Sequence, residues 1–165
     1  MADFTSTITE SVVLNGSVRG STNSILIPDI TNVGELILEC PAGVSAAATT
    51  VIGTWATTVN PTGVKYQNYD FNDSEYVRVT NLDPLLPCEV NWVSKPSTGV
   101  SSCRFLLKPG QSSIMWTTLK GVFGDNSVVT PAVLNDLSYI EITNTTFSAE
   151  ALPLNVELFT ASKKA

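Results

Sequence analysis

Between Glu75 and Trp116 the chain alternates short apolar runs with clusters of turn residues. In EYVRVTNLD, Val77 and Val79 alternate with Tyr76, Arg78 and Thr80, the period-two pattern of a strand with one buried face. CEVNWV follows the Pro84–Pro87 break, and CRFLL follows a turn over Lys95–Gly99. Next, Pro109 and Gly110 predict a type II turn into SSIMW, because proline presets φ at the second position and glycine permits a positive φ at the third. Strand, break, strand, turn, strand, turn, strand is the layout of an antiparallel sheet.

The same pattern extends in both directions. TITESVVL ends at Asn15–Gly16, a pair that favours a two-residue hairpin turn, and a partner strand is predicted after Gly20 with Ile25, Leu26 and Ile27, before Pro28. The alternative is one strand plus a long polar arm. GELILEC sets Leu36, Leu38 and Cys40 on one face and Glu35, Ile37 and Glu39 on the other. VIGTWATTV reads as a strand in which Gly53 marks a bulge. SYIEITNTT turns Ile140 and Ile142 inward. LPLNVELFTA aligns Leu152, Leu154, Val156 and Leu158, the cleanest alternation in the chain, and is expected inside a sheet. The one candidate helix is short, near 131–137, with Thr130 as N-cap and Pro131 at the first helical position. The expected fold is therefore all-β, an antiparallel, jelly-roll-like β-sandwich of about nine or ten strands. A single domain over 1–165 is expected, with an extended N-terminal arm (1–7) and a flexible loop (41–50, PAGVSAAATT).

Composition narrows the function. Charged residues are only 15% of the chain, with Ser, Thr and Asn filling the polar positions, which suits strands and surfaces that a partner will cover. The net charge of -6, with basic residues scattered, offers nothing to a phosphate backbone, so nucleic acid is not an expected partner. No apolar run reaches membrane-span length, and MADFTSTITES has neither a basic n-region nor an apolar h-region, so no secretory signal is expected. Cys40, Cys88 and Cys103 are expected as reduced, buried thiols. A Cys88–Cys103 bridge across one hairpin is the alternative.

Candidate chemistry is sparse. The chain has no histidine, which removes the Ser-His-Asp and Cys-His arrangements, and no CxxC, GxGxxG or GxxxxGK[ST] motif occurs. Two carboxylate pairs, Glu35 with Glu39 and Glu141 with Glu157, would serve a glycosidase if they faced each other across strands; solvent-facing strand residues are the expectation. Asp70, Asn72 and Ser74 fall at the first, third and fifth positions of a calcium loop. Glu75 stands where that loop needs Gly and Asn81 where it needs a bidentate Glu, so a polar turn is expected. Trp55, Trp92 and Trp116 would support a sugar-binding face if stacked and exposed, and belong to the core if buried. Neither an enzyme nor any cofactor is implied.

TESVVLNGSVRGSTNS, EYVRVTNLD, FLLKPGQSSIMW and the closing YIEIT and NVELF together resemble small β-sandwich virion structural proteins of tailed bacteriophages. That resemblance implies a non-enzymatic capsid decoration or cement protein, with a neck or tail component as the alternative. A non-catalytic carbohydrate-binding or adhesin-type sandwich is the reading from outside that class. The implied partners are the major capsid protein or other virion proteins and further copies of this chain, as a trimer. The implied location is the virion, assembled in the host cytoplasm. Contact residues are expected in the two small, polar segments: Met1, Ala2, Asp3 and Phe4 of the arm, and Ala42, Gly43, Val44 and Ser45 of the loop.

Overall fold

The computed structural model describes residues 2–55, 68–69, 74–94, 101–116, 137–146 and 152–162. Strands β1 (Ala2–Leu14) and β2 (Ser17–Ile30) form a two-stranded sheet of their own. The body contains β3 (Asn32–Cys40), β4 (Ala48–Trp55), β5 (Asn68–Tyr69), β6 (Ser74–Asn81), β7 (Cys88–Ser94), β8 (Ser101–Leu107), β9 (Ser112–Trp116), β10 (Leu137–Asn144) and β11 (Leu154–Ser162). One body sheet has the order β3-β11-β6-β9, the other β5-β4-β10-β7-β8. Setting aside β5, a two-residue parallel addition to β4, the eight remaining body strands are antiparallel. Numbered in turn, they run first-eighth-third-sixth and second-seventh-fourth-fifth, the strand order of a jelly roll.

Alternation in the sequence becomes the core. Leu38, Val77, Val79, Met115, Val156 and Leu158 from one sheet meet Ile52, Val90, Trp92, Leu107, Ile140 and Ile142 from the other. β11 lies between β3 and β6, inside its sheet as its pattern predicts. The bulge expected at Gly53 is present: Gly53 pairs with Ile140 and Val51 with Glu141, leaving Ile52 as the extra residue. A Cβ on Gly53 would lie 3.0 Å from the Trp55 ring and 3.1 Å from Leu158 Cδ2, so a larger residue there would require these side chains to give by a few tenths of an ångström. The turn at Pro109–Gly110 also forms, closed by Gln111 N–H donating to the Lys108 carbonyl (3.0 Å), with Gly110 at φ 73°.

Several expectations need revision. The partner strand of the hairpin begins at Ser17, directly after the turn, rather than beyond Gly20, and it continues through Pro28. It does so by a bulge: Phe4 pairs with Ile27 and Ala2 with Ile30, and Asp29 takes φ 62°. That extra residue brings both Ile27 and Ile30 against the body, where both are buried. Residues 2–7 are not a loose arm but the first half of β1, paired with β2. The irregular segment after β3 ends at 47, because Ala48–Thr50 already belong to β4. Leu152 precedes β11 and is exposed rather than continuing its buried face. The helix expected near 131–137 lies outside the described residues, except Leu137, which opens β10.

Candidate functional site

The catalytic and metal candidates among the described residues do not converge. Glu141 lies on β10 and Glu157 on β11, in different sheets, each alternating with core residues and so on an outer face. Glu141 accepts from Asn91 Nδ2 (3.0 Å), while both Glu157 oxygens accept from Arg78 Nη2 (3.0 and 2.9 Å). They cannot face each other. Glu35 and Glu39 are both exposed on β3, four residues apart, a spacing of about 13 Å along a strand. Asp70 and Asn72 lie outside the described residues; Ser74 is buried in β6, where its Oγ accepts the Trp55 indole N–H (3.0 Å). Among the described residues no group of three or more His, Cys, Asp or Glu is placed to hold a metal ion.

Two tryptophans and two cysteines belong to the core, while the Trp116 side chain lies outside what is described. Trp55 and Trp92 are buried, and Trp92 Nε1 donates to Ser113 Oγ across the sandwich (3.0 Å). A stacked, exposed tryptophan platform therefore cannot include these two. Cys88 pairs with Leu107 and Cys103 with Trp92, so the two cysteines are out of register, and all three thiols are free. Cys103 is half-buried, which departs from the expected burial. Burial, with Cys88 alongside, pushes the Cys40 thiol up to about 12, and burial pushes Cys88 up to about 11.

What the molecule presents instead is two contrasting surfaces. The first is the end of the sandwich where β3, β6, β8 and β10 finish. Buried Asn81 closes β6: its Nδ2 donates to the carbonyls of Leu86 (2.8 Å) and Leu107 (3.1 Å), and its Oδ1 accepts from Asp83 N–H (3.0 Å). Asp83 Oδ1 in turn accepts from the N–H groups of Leu85 (2.8 Å) and Leu86 (2.7 Å). Buried Asn144 repeats the device at the end of β10, donating to the Leu152 carbonyl (3.1 Å) and accepting from Thr146 N–H (3.1 Å). Asparagine suits this position because its short amide offers donors and an acceptor to a turning backbone. On the loops so fixed, Leu85 is 81% exposed, Leu152 68% and Leu82 43%. Val44, at the same end on the loop after β3, is 77% exposed. Of the expected loop contacts, Val44 and Ser45 are exposed, while Ala42 and Gly43 are half-buried.

The second surface is the β1–β2 hairpin. Its turn has positive φ at both Asn15 (51°) and Gly16 (79°), the type I′ geometry matched to the twist of two strands. Its base is seated on the outer face of the β3-β11-β6-β9 sheet. Phe4, Ile25, Ile27 and Ile30 pack there against Tyr76, Ile114, Phe159 and Ala161. Phe4 lies 4.8 Å from Tyr76 and 5.7 Å from Phe159, centroid to centroid, and Ser6 Oγ is 3.2 Å from Tyr76 OH. Beyond that seat the strands stand in solvent, with Val12, Val13 and Val18 all exposed near the tip. Among the expected arm contacts, Ala2 and Asp3 are exposed, Phe4 is half-buried in the seat, and Met1 lies outside the described residues.

Comparison with family models, with curated proteins and with solved structures finds no match for this chain. The sequence carried part of these surfaces: Asn15–Gly16 signals the hairpin. The asparagine pair at the loop end was missed, because NLD and TNTT look like ordinary turn sequences until both side chains are seen buried.

Proposed function

We propose that this chain is a non-enzymatic structural protein of a tailed-phage virion, acting as a capsid decoration or cement protein. The observation that carries the proposal is the fixed apolar end of the sandwich. Leu82, Leu85 and Leu152 are held out to water there on loops whose backbone is hydrogen-bonded to two buried asparagines, with Val44 exposed at the same end. Exposed apolar groups on a rigid frame lose little entropy on docking, which suits a surface contact made many times over a lattice. The partner is the major capsid protein, met in the host cytoplasm during assembly. The resemblance in EYVRVTNLD and FLLKPGQSSIMW supports the same reading. Burial of Trp55 and Trp92 removes two of the three tryptophans on which the carbohydrate-binding alternative rested.

The test is peptide mass spectrometry of purified virions, with the chain expected at a fixed ratio near parity with, or a simple fraction of, the major capsid protein. A handful of copies per particle would move the proposal to neck or tail. Absence from virions would reject it. With particles in hand, Leu85→Asp is expected to weaken their binding about tenfold or more, since it places a charge in an apolar contact.

A further inference from the structure

The pair that turns the hairpin, Asn15–Gly16, is the only Asn-Gly step in the chain. A side-chain amide followed by glycine is open to attack by the next backbone nitrogen, because glycine has no Cβ to hinder the five-membered ring that closes. The step reacts where the amide is accessible, the attacking N–H is not held in a hydrogen bond, and the backbone can bend into the ring.

The hairpin tip meets each condition. Asn15 and Gly16 are both exposed, and the Asn15 side chain makes no hydrogen bond to a described residue. The last pair of the β1–β2 ladder is Leu14 with Ser17, so the Gly16 N–H lies beyond the ladder. A Cβ built on Gly16 would meet nothing within 4 Å, so open space surrounds it. Ring closure swings the Asn15–Gly16 peptide out of its type I′ geometry, which requires the last pairs to open. The aromatic seat fixes only the far end of the hairpin, and Val12, Val13 and Val18 at the tip have no second layer, so this opening leaves the sandwich undisturbed. Other asparagines fail a condition. Asn81 and Asn144 are buried with both ends of the amide hydrogen-bonded, and Asn23 donates to Ser21 Oγ (3.2 Å) and precedes Ser24.

We propose that Asn15 is a site of spontaneous covalent modification, in which the Gly16 nitrogen closes on the Asn15 side chain and water reopens the ring to aspartate or isoaspartate. The Gly16 N–H loses its proton to solvent base, its nitrogen bonds to Asn15 Cγ, and the Cγ–Nδ2 bond breaks to release ammonia. Water then adds to one of the two ring carbonyls, and one ring C–N bond breaks. The sum is amide plus water giving carboxylate plus ammonium, with no change of oxidation state. Either product adds negative charge to segment 7–24, which otherwise balances one acid, Glu10, against one base, Arg19. Aspartate keeps the turn, since Asp-Gly also suits type I′. Isoaspartate routes the main chain through Cγ and adds an atom to a turn whose length fixes the register, so it releases Leu14–Ser17 and Val13–Val18. The tip thus changes with the age of the molecule while the sandwich does not. This goes beyond the virion proposal and does not rest on it.

The test uses the full chain, incubated in mildly alkaline buffer and sampled over time. Peptide mass spectrometry is expected to show the one-unit mass gain of an amide becoming an acid in the peptide holding Asn15, well ahead of those holding Asn23, Asn81 and Asn144. Labelled methyl transfer by isoaspartyl methyltransferase should mark the same peptide. Gly16→Ala, which puts a Cβ against the closing ring, is expected to slow the gain about tenfold or more. In the isoaspartyl fraction, separated by anion exchange, hydrogen exchange should quicken over 11–18 while the urea midpoint of the body holds. Asn15 left unchanged throughout, an equal gain at the buried asparagines, or a rate untouched by Gly16→Ala overturns the proposal.

Discussion

The hairpin and the sandwich body draw on the same residues, β-branched and aromatic side chains spaced two apart, yet they are stabilised differently. In the body, Ile140 and Ile142 face Val77 and Val79 across two sheets and none of them reaches solvent. In the hairpin, Val12, Val13 and Val18 have no second layer, and order rests on the cross-strand ladder, a type I′ turn and an aromatic seat at one end. The contrast teaches that residue pattern makes a strand, while burial needs an opposing layer. Substitutions in the body should therefore lower global stability, and substitutions in the projecting hairpin should not.

The largest effect is expected from the core. Trp92→Ala removes a fully buried ring that bridges the sheets through Ser113, and should cost about 3–5 kcal/mol in urea unfolding. An effect below about 1 kcal/mol would mean that the body does not unfold as one sandwich. Next comes the loop end. Asn81→Ala leaves the Leu86 and Leu107 carbonyls and the Asp83 amide without their partner, costing about 2 kcal/mol. Limited proteolysis should then cut within 82–87, where the wild type resists.

Alkaline pH should separate the regions as well, since the buried thiols lie in the body alone. In the unfolded chain Cys40 and Cys88 ionise near 9.0, whereas folding holds them protonated to about 12 and about 11. Above pH 9 the folded state thus binds more protons than the unfolded state. Stability is intact below that pH and falls as pH rises through the folded values. The urea midpoint should be flat below pH 9 and decline beyond it, and Cys40→Ala should reduce the decline. A midpoint that declines equally in the variant would sink this account.

The smallest global effect belongs to the hairpin tip. Gly16→Ala places a side chain at φ 79°, a strain of about 1 kcal/mol confined to the turn. Hydrogen exchange should quicken in β1 and β2 while the urea midpoint of the body moves by less than about 0.5 kcal/mol equivalent. Global destabilisation by this change would show that the hairpin and the body fold as one unit.

Period-two alternation by itself determined the inward faces of β3, β6, β10 and β11, from Leu36–Cys40 to Leu154–Leu158. Local turn chemistry determined Asn15–Gly16 and Pro109–Gly110, since the required φ values are properties of those residues alone. The partition into two sheets was not legible, because alternation tells a strand which face is apolar but not which strand lies beside it. Tyr76 illustrates the limit: its spacing puts it on the solvent side of β6, and only the seated hairpin buries it. Cys88 and Cys103 were separated by register, which depends on pairing along the whole of β7 and β8. Asn81 and Asn144 became anchors only when strands distant in sequence ended together, leaving backbone groups that a buried amide could satisfy. Local geometry is written in neighbouring residues; burial and the exposed apolar end depend on segments that meet only in the folded chain.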